Sequence, residues 1–335
     1  MGKKAIALLS GGLDSTLAAK MMMEQGVEVI GLNFVSPFCP SCRTAGDGGE
    51  SKIQTAQRQL GVPVRFVPLD EDYVDVIRHG RFGYGAGVNP CIDCRIYTMK
   101  KAKKVMEDEG ADFIVSGEVL GQRPMSQRKD AMETIDEQSD MGGILLRPLS
   151  AREMPPTKPE QDGTLDRDRL GAITGRSRKE QFALAKKYGV TDFPTPAGGC
   201  LLTDKNFAVR VRDLFDRQDE VLFRDLQILQ FGRIVKLRDQ VRVVVGRNER
   251  ENAMLEAYQD RARAFLMPEN FQGPSALILG EHTEADRIDA ARMILFWTKK
   301  RPTEPMLVWC EAGNRKGVIS VTDPYPEGPL REKMI

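Results

Sequence analysis

Ser10-Gly11-Gly12-Leu13-Asp14-Ser15 stands between the apolar run Ala5-Ile6-Ala7-Leu8-Leu9 and a helix-like stretch over residues 16–25. The segment reads as a strand, a phosphate loop and a helix N-terminus. Two glycines let the backbone turn tightly and bring its N–H groups close to an anion, and the helix that follows adds unpaired N–H groups and a positive dipole end. The hydroxyls of Ser10 and Ser15 supply further donors. Asp14 separates this loop from a bare anion nest, because a carboxylate beside phosphate is repulsive unless it holds a cation such as Mg2+. The Walker-type spacing G-x-x-x-x-G-K-[ST] is absent. The simpler alternative is an ordinary glycine-rich turn between a first strand and a first helix.

Outward from this loop, strand-like and helix-like segments alternate. Residues 27–34 read as an apolar strand, 51–60 as a helix, 62–69 as a strand, 95–109 as a lysine-rich helix and 111–116 as another strand. This spacing predicts an α/β fold with a parallel, doubly wound sheet. Ligands are then expected at the carboxyl ends of the strands, where the loops after Leu9, Phe34 and Ser116 converge. Residues 150–170, with Pro155, Pro156 and Pro159, read as a linker or an active-site flap. A helix over 178–188 leads to Gly198-Gly199-Cys200. From about Asn206 the pattern changes to helix over 210–229, strand over 241–245, helix over 249–264, strand over 276–279 and helix over 286–297, with a poorly ordered tail from 322. The expected division is residues 1–204 and a smaller α+β domain over 205–335.

The 335 residues carry 49 Lys and Arg against 48 Asp and Glu, a net charge of +1 that says nothing about nucleic acid, since a local basic surface can coexist with neutrality. No run approaches the ~20 apolar residues that span a bilayer, and a strand begins almost at Met1 without a cleavage region, so the expectation is a cytoplasmic protein without a membrane partner. Only two histidines occur, His79 and His282, which argues against a His-rich zinc hydrolase or a Ser-His-Asp enzyme. Six cysteines, four of them in two C-x-x-C units, point to metal, cluster or redox chemistry more than to disulfides.

Asn89-Pro90-Cys91-Ile92-Asp93-Cys94-Arg95 puts two thiols at the start of a helix, where the helix N-terminus and Arg95 both favour thiolate. Cys200 follows two glycines that would let the backbone present it closely to a cleft. Cys91, Cys94 and Cys200 can supply three ligands to a [4Fe–4S] cluster whose fourth iron stays open. Alternatively, two of them act as a persulfide carrier and a resolving thiol. A third reading is a structural four-cysteine zinc knuckle of Cys91 and Cys94 with Cys39 and Cys42, whose own loop could equally relay sulfur or do neither. Cys310 and Met21-Met22-Met23 read as core.

Residues Ser10 to Ser15 resemble the PP-loop of the N-type ATP pyrophosphatases, which cleave ATP to AMP and pyrophosphate and adenylate a substrate oxygen. With P-C-x-x-C-R at 90–95 and G-G-C at 198–200, the chain resembles the tRNA thiouridine synthases. The persulfide-type 2-thiouridylases often carry aspartate at the position of Cys91; cysteine there resembles the iron–sulfur-dependent branch. The resemblance implies an adenine nucleotide alpha hydrolase-like fold, ATP at Ser10, Gly11, Gly12, Asp14 and Ser15, Mg2+ on Asp14, and sulfur chemistry at Cys91, Cys94 and Cys200. A loop corresponding to 116–127 borders ATP in that family, so Gly117, Gln122 and Arg123 are candidate nucleotide contacts and Ser126 and Gln127 candidate readers of nucleotide edges. Asn33 and Phe34 fall where an adenine-binding backbone is expected, and Arg147, Arg176 and Arg178 are weaker candidates.

Val245-Gly246-Arg247-Asn248 with Asn252 resembles the V-G-R-N-x-x-x-N signature of the RNA-binding domain of NFACT proteins. Arg242, Arg247 and Asn248, with Arg238, are the candidate RNA contacts. The N-terminal RNA-binding appendages of 4-thiouridine synthetases do not precede this PP-loop, so RNA capture is expected of the C-terminal domain. The expected function is ATP-dependent tRNA sulfurtransfer giving a thiouridine, 4-thiouridine favoured over 2-thiouridine. Its partners would be tRNA and a sulfur donor, either free sulfide or a cysteine desulfurase, with a homodimer left open. The rival readings are a PP-loop enzyme delivering nitrogen and a non-catalytic RNA-binding protein with a zinc site.

Overall fold

The structure, a computed structural model, describes residues 3–39, 51–193, 199–260, 263–300 and 305–335. It forms two compact units, Met1–Asp204 and Lys205–Ile335. The first runs β1 (Lys4–Leu8), α1 (Leu13–Met23), β2 (Glu28–Val35), α2 (Lys52–Leu60), β3 (Val64–Pro68), α3 (Asp72–Arg78), α4 (Cys91–Asp108), β4 (Phe113–Ser116), α5 (Lys129–Gln138), β5 (Leu145–Leu146), α6 (Lys158–Gln161) and α7 (Lys179–Tyr188). Its strands pair in the order β3-β2-β1-β4-β5, all parallel, as the alternating sequence requires. The chain leaves β1 for β2 and β3 on one side and returns to β4 on the other. That reversal opens a crevice at the carboxyl ends of β1 and β4.

Side chains on β1 alternate between two apolar layers. Ala5, Ala7 and Leu9 pack with Leu13 and Leu17 of α1 and Ala185 of α7, whereas Ile6 packs with Ile96 and Met99 of α4 and Ile135 of α5. Residues 150–170, expected as a linker or flap, are anchored to the first unit at several points. Ala151, Leu165 and Leu170 belong to the first of these layers, Gln25 and Asp166 exchange hydrogen bonds of 2.8 and 3.3 Å, and Arg167 donates to the Ala151 and Met154 carbonyls. The prolines lie on an excursion whose apolar residues are anchored in that layer.

The second unit runs α8 (Lys205–Arg217), α9 (Phe223–Ile228), β6 (Arg233–Arg238), β7 (Val241–Val245), α10 (Glu249–Ala257), β8 (Ala264–Pro268), β9 (Ala276–Leu279), α11 (Glu284–Trp297), β10 (Met306–Ala312), β11 (Arg315–Val321) and α12 (Glu327–Glu332). Its sheet, in the order β11-β10-β8-β9-β7-β6, is antiparallel throughout. Ala290, Ala291, Met293 and Ile294 of α11 pack against it. The helix expected over 210–229 is divided between α8 and α9, and that expected over 249–264 ends at Ala257, before β8. The tail from 322 is ordered: Leu330 is fully buried, and the Ile335 amide donates to the Ile234 carbonyl at 2.9 Å.

Candidate functional site

The loop between β1 and α1 holds its shape through its own polar groups. Ser15 Oγ donates to the Gly12 carbonyl at 2.9 Å and accepts from the Ser10 amide at 3.2 Å, and Ser10 Oγ lies 3.2 Å from Ser15 Oγ. Gly11 has φ +74°, and a Cβ there would stand 2.7 Å from the Lys52 carbonyl carbon, so both conformation and space demand glycine. Gly12 is the N-cap of the eleven-residue α1, with Asp14 in its first turn. The amide-rich end of the helix thus faces the crevice.

Two neighbours complete this edge. Gly117 follows β4, and a Cβ on it would lie 2.5 Å from the Ser15 amide nitrogen, so only glycine lets the two loops touch. Gln122 Nε2 donates to Asp14 Oδ2 at 2.8 Å, while Arg123 is exposed on the same loop. The Asn33 side chain turns inward, which leaves its backbone as the expected adenine contact. It is 5 % exposed and donates to the Leu9 carbonyl at 2.6 Å, bracing the start of the loop. Ser126 and Gln127 are likewise buried, and among the weaker candidates Arg147 is 3 % exposed.

The thiols gather on the adjoining edge. Cys91 and Cys94 occupy the first turn of α4; Asn89 Nδ2 donates to Cys91 Sγ at 3.1 Å, and the hydroxyl of buried Tyr73 donates to Cys94 Sγ at 3.0 Å. The segment of Cys200 is tied in by the Leu201 amide on the Phe38 carbonyl and the Val88 amide on the Leu202 carbonyl, at 2.8 and 2.9 Å. Burial pushes the Cys200 thiol up to about 12, with Cys94, Cys91 and Cys39 close enough to add to the rise. Burial also raises the Cys94 thiol against the opposing pull of Tyr73 and Arg95, so the expected bias toward thiolate is reversed. Cys42 lies outside the described residues.

One ion pair joins the two edges. Arg95, next to Cys94, places Nε 3.2 Å from Glu118 Oε1, and Glu118 is the residue after Gly117. Glu118 is 2 % exposed and also accepts from Arg147 at 3.1 Å; Arg147 in turn holds Asp136 through two bonds of 2.7 and 2.8 Å. Burial works against the Glu118 charge, yet Arg95 and Arg147 hold its carboxyl below the usual range.

Among the described residues no group of three His, Cys, Asp or Glu stands at the spacing of a single metal ion. A cubane cluster spreads its thiolates more widely than one ion does, and the donor set of Cys91, Cys94 and Cys200, with N–H and O–H donors on two of the sulfurs, fits such a group in its chemistry. The Asp14 carboxylate fits a hard cation such as Mg2+.

In the second unit the expected RNA contacts separate. Arg242 is 2 % exposed, pairs with Asp213 at 2.6 and 2.8 Å and donates to the Arg238 carbonyl, so it is a buried clamp and not a contact for RNA. Asn248 accepts from the Glu251 amide at 3.0 Å and caps α10. Arg247 pairs with Glu251 but keeps 47 % of its side chain exposed. Beside it lies Arg233, missed in the sequence, its guanidinium 5.2 Å from the Trp297 ring centroid. Arg238 is paired with Asp286 at 2.8 Å.

The family described as Thiamine biosynthesis protein (ThiI) matches residues 1–153, and the family described as NFACT protein RNA binding domain matches residues 232–332. The tRNA-specific 2-thiouridylase MnmA of Pelobacter propionicus is 30% identical over 118 residues, 34% of this chain and 33% of that enzyme. Its counterpart from Clostridium acetobutylicum is 25% identical over 246 residues, 69% of this chain and 68% of that one. The chain therefore spans from a third to about two thirds of these relatives. A solved 4-thiouridine synthetase–RNA complex with bound ATP is similar with TM-score 0.34 and 21% identity, over 56% of this chain and 52% of that one. No helix among the described residues is long and apolar enough to cross a membrane.

Proposed function

We propose that this chain, a ThiI-family PP-loop domain joined to an NFACT-type RNA-binding domain, is an ATP-dependent tRNA sulfurtransferase that makes a thiouridine. The observation that carries the reading is the short bridge from loop to thiols: Ser15 touches Gly117, Glu118 follows, and Glu118 pairs with Arg95 beside Cys94. An anion loop and a thiol cluster held on one frame suit a reaction that first activates an oxygen and then replaces it with sulfur.

In this reading the loop amides and the α1 N-terminus receive the triphosphate, and Asp14 would hold Mg2+, which supplies charge neutralisation for the phosphates. A uracil carbonyl oxygen forms a bond to the α-phosphorus as the bond to the bridging oxygen breaks, releasing pyrophosphate and leaving an adenylated base. A sulfur nucleophile then bonds to the activated carbon, and AMP departs with the former carbonyl oxygen. Cys91, Cys94 and Cys200 would hold a [4Fe–4S] cluster, which supplies an open iron for sulfide. The persulfide alternative uses Cys94 or Cys200 alone, and cysteine at all three positions, 91 included, favours the cluster over it. Arg95 faces the negative charge of sulfur while Glu118 fixes its position. The target base must be single-stranded or extruded.

Within this reading 4-thiouridine is the favoured product, because the segment 197–204 and the general layout resemble the catalytic domain of a 4-thiouridine synthetase; the Clostridium relative, a 2-thiouridylase alike over 69% of this chain, favours 2-thiouridine as the second reading. The test is nucleoside analysis of tRNA incubated anaerobically with ATP, Mg2+ and sulfide. Wild type should yield one thiouridine and iron without stoichiometric zinc, Asp14→Ala neither pyrophosphate nor product, and Cys94→Ala pyrophosphate without product. Absence of any thionucleoside with wild type overturns the proposal.

A further inference from the structure

Asp14 has a second partner, brought from the far end of the unit. Its Oδ1 accepts from Arg178 Nη2 at 3.3 Å, across 164 positions of sequence. Arg178 caps the start of α7, which packs on α1, and its guanidinium lies 5.8 Å from the Phe182 ring centroid. Its Nε is buried with no hydrogen-bond partner. On the other side, Gln122 is fixed by Gln181, fully buried, whose Nε2 donates to Gln122 Oε1 at 3.1 Å. The α7 helix thus supplies both the charge and the second tier of the Asp14 environment.

The geometry differs from that of the structural arginines. Arg147 and Arg242 are 2–3 % exposed and grip carboxylates by paired bonds of 2.6 to 2.8 Å. Arg178 touches Asp14 through one long bond, with 21 % of its side chain exposed and a donor to spare. A single-point contact in a half-dry crevice is weak enough to exchange and close enough to matter. We propose that Arg178 is an exchangeable counter-charge of the loop: a triphosphate competes with Asp14 for Arg178, and a divalent cation competes with Arg178 for Asp14. Nucleotide and cation then bind cooperatively, because each releases the partner the other needs, and the coupling is reciprocal. This inference rests on the loop being a Mg·ATP site.

The test uses the full chain, Mn2+ as the cation and α,β-methylene-ATP as the nucleotide, with Mn2+ binding followed by its electron paramagnetic resonance signal. Arg178→Met should bind Mn2+ several-fold more tightly by itself, bind the nucleotide about tenfold or more weakly, and lose the nucleotide-induced gain in Mn2+ affinity. Arg178→Lys, which keeps the charge, should retain part of that gain. A role limited to holding α7 in place would weaken both ligands together, and that result overturns the inference, as does unchanged binding of both. If wild type binds no nucleotide, the ATP reading itself fails. If wild type binds it and Arg178→Met binds equally well, only the exchange fails.

Discussion

Gly117 shows how one missing side chain couples two functional edges. Any Cβ at this position meets the Ser15 amide at 2.5 Å, backbone against backbone, so neither side can yield without moving α1 or the β4 loop. Gly117→Ala is expected to cost about 1–3 kcal/mol of stability, and to weaken nucleotide binding more than an equally destabilising substitution remote from the loop. Equilibrium urea unfolding read beside nucleotide titration separates the two effects; undisturbed nucleotide binding would show that the contact does not shape the loop. The glycine itself was visible in the sequence, but its reason was not, since Ser15 and Gly117 are neighbours only through the pairing of β1 with β4. Arg242 makes the converse point: its place on a strand beside a Gly-Arg-Asn turn suggested RNA, yet Asp213, on α8, draws it inward.

Elements with unambiguous local signals form where their residues indicate. Thr283 caps α11 with Asp286 in a reciprocal capping box, and Asp286 also accepts from Arg238 on β6. The Arg238 hydrogen bond, opposed by burial, brings the Asp286 carboxyl down to about 2. The unfolded chain therefore takes up this proton more readily than the folded one: the contribution is present above about pH 3.9 and is lost as pH falls through about 2. Both tryptophans, Trp297 and Trp309, lie in the second unit, so their fluorescence follows this unfolding. Asp286→Asn should lower the urea midpoint at pH 6 and differ less from wild type at pH 2.5; an equal gap at both values would refute the assignment. Strands β10 and β11 escaped the sequence reading: β10 is a continuous apolar run whose two faces alternate in burial only once paired, and β11 exposes most of its length and takes its order from pairing with β10. Over 249–264 a helical pattern gave way to β8 because Ala264, Phe265 and Leu266 find strand partners in β9 and β10.

At the scale of the molecule, a net charge of +1 gives no long-range attraction for a polyanion, so any RNA affinity must come from local cations. Arg233, beside the indole of Trp297, and Arg247 are the adjacent pair on the second unit that fits this need. Replacing both with alanine should weaken tRNA binding across sequences and reduce the salt slope by about 2, measured by filter binding over a salt series; an unchanged slope would exclude them as phosphate contacts. The alternation of strands and helices determined the parallel sheet by itself, because periodicity and turn residues are local properties and a parallel pair requires a crossover helix. The loop from Ser10 to Ser15 was equally local, its glycines and the helix behind it lying within one short segment. The sequence named Gly117, Gln122 and Arg178 as candidates there; the tertiary structure decided how they reach the loop, through the Ser15 contact and Asp14, and that Arg95 and Glu118 connect it to the thiols. It also decided which arginines remain exposed. Contacts across a hundred or more residues depend on strand order and on the cost of burying an unpaired charge, and neither is written in any single stretch of sequence.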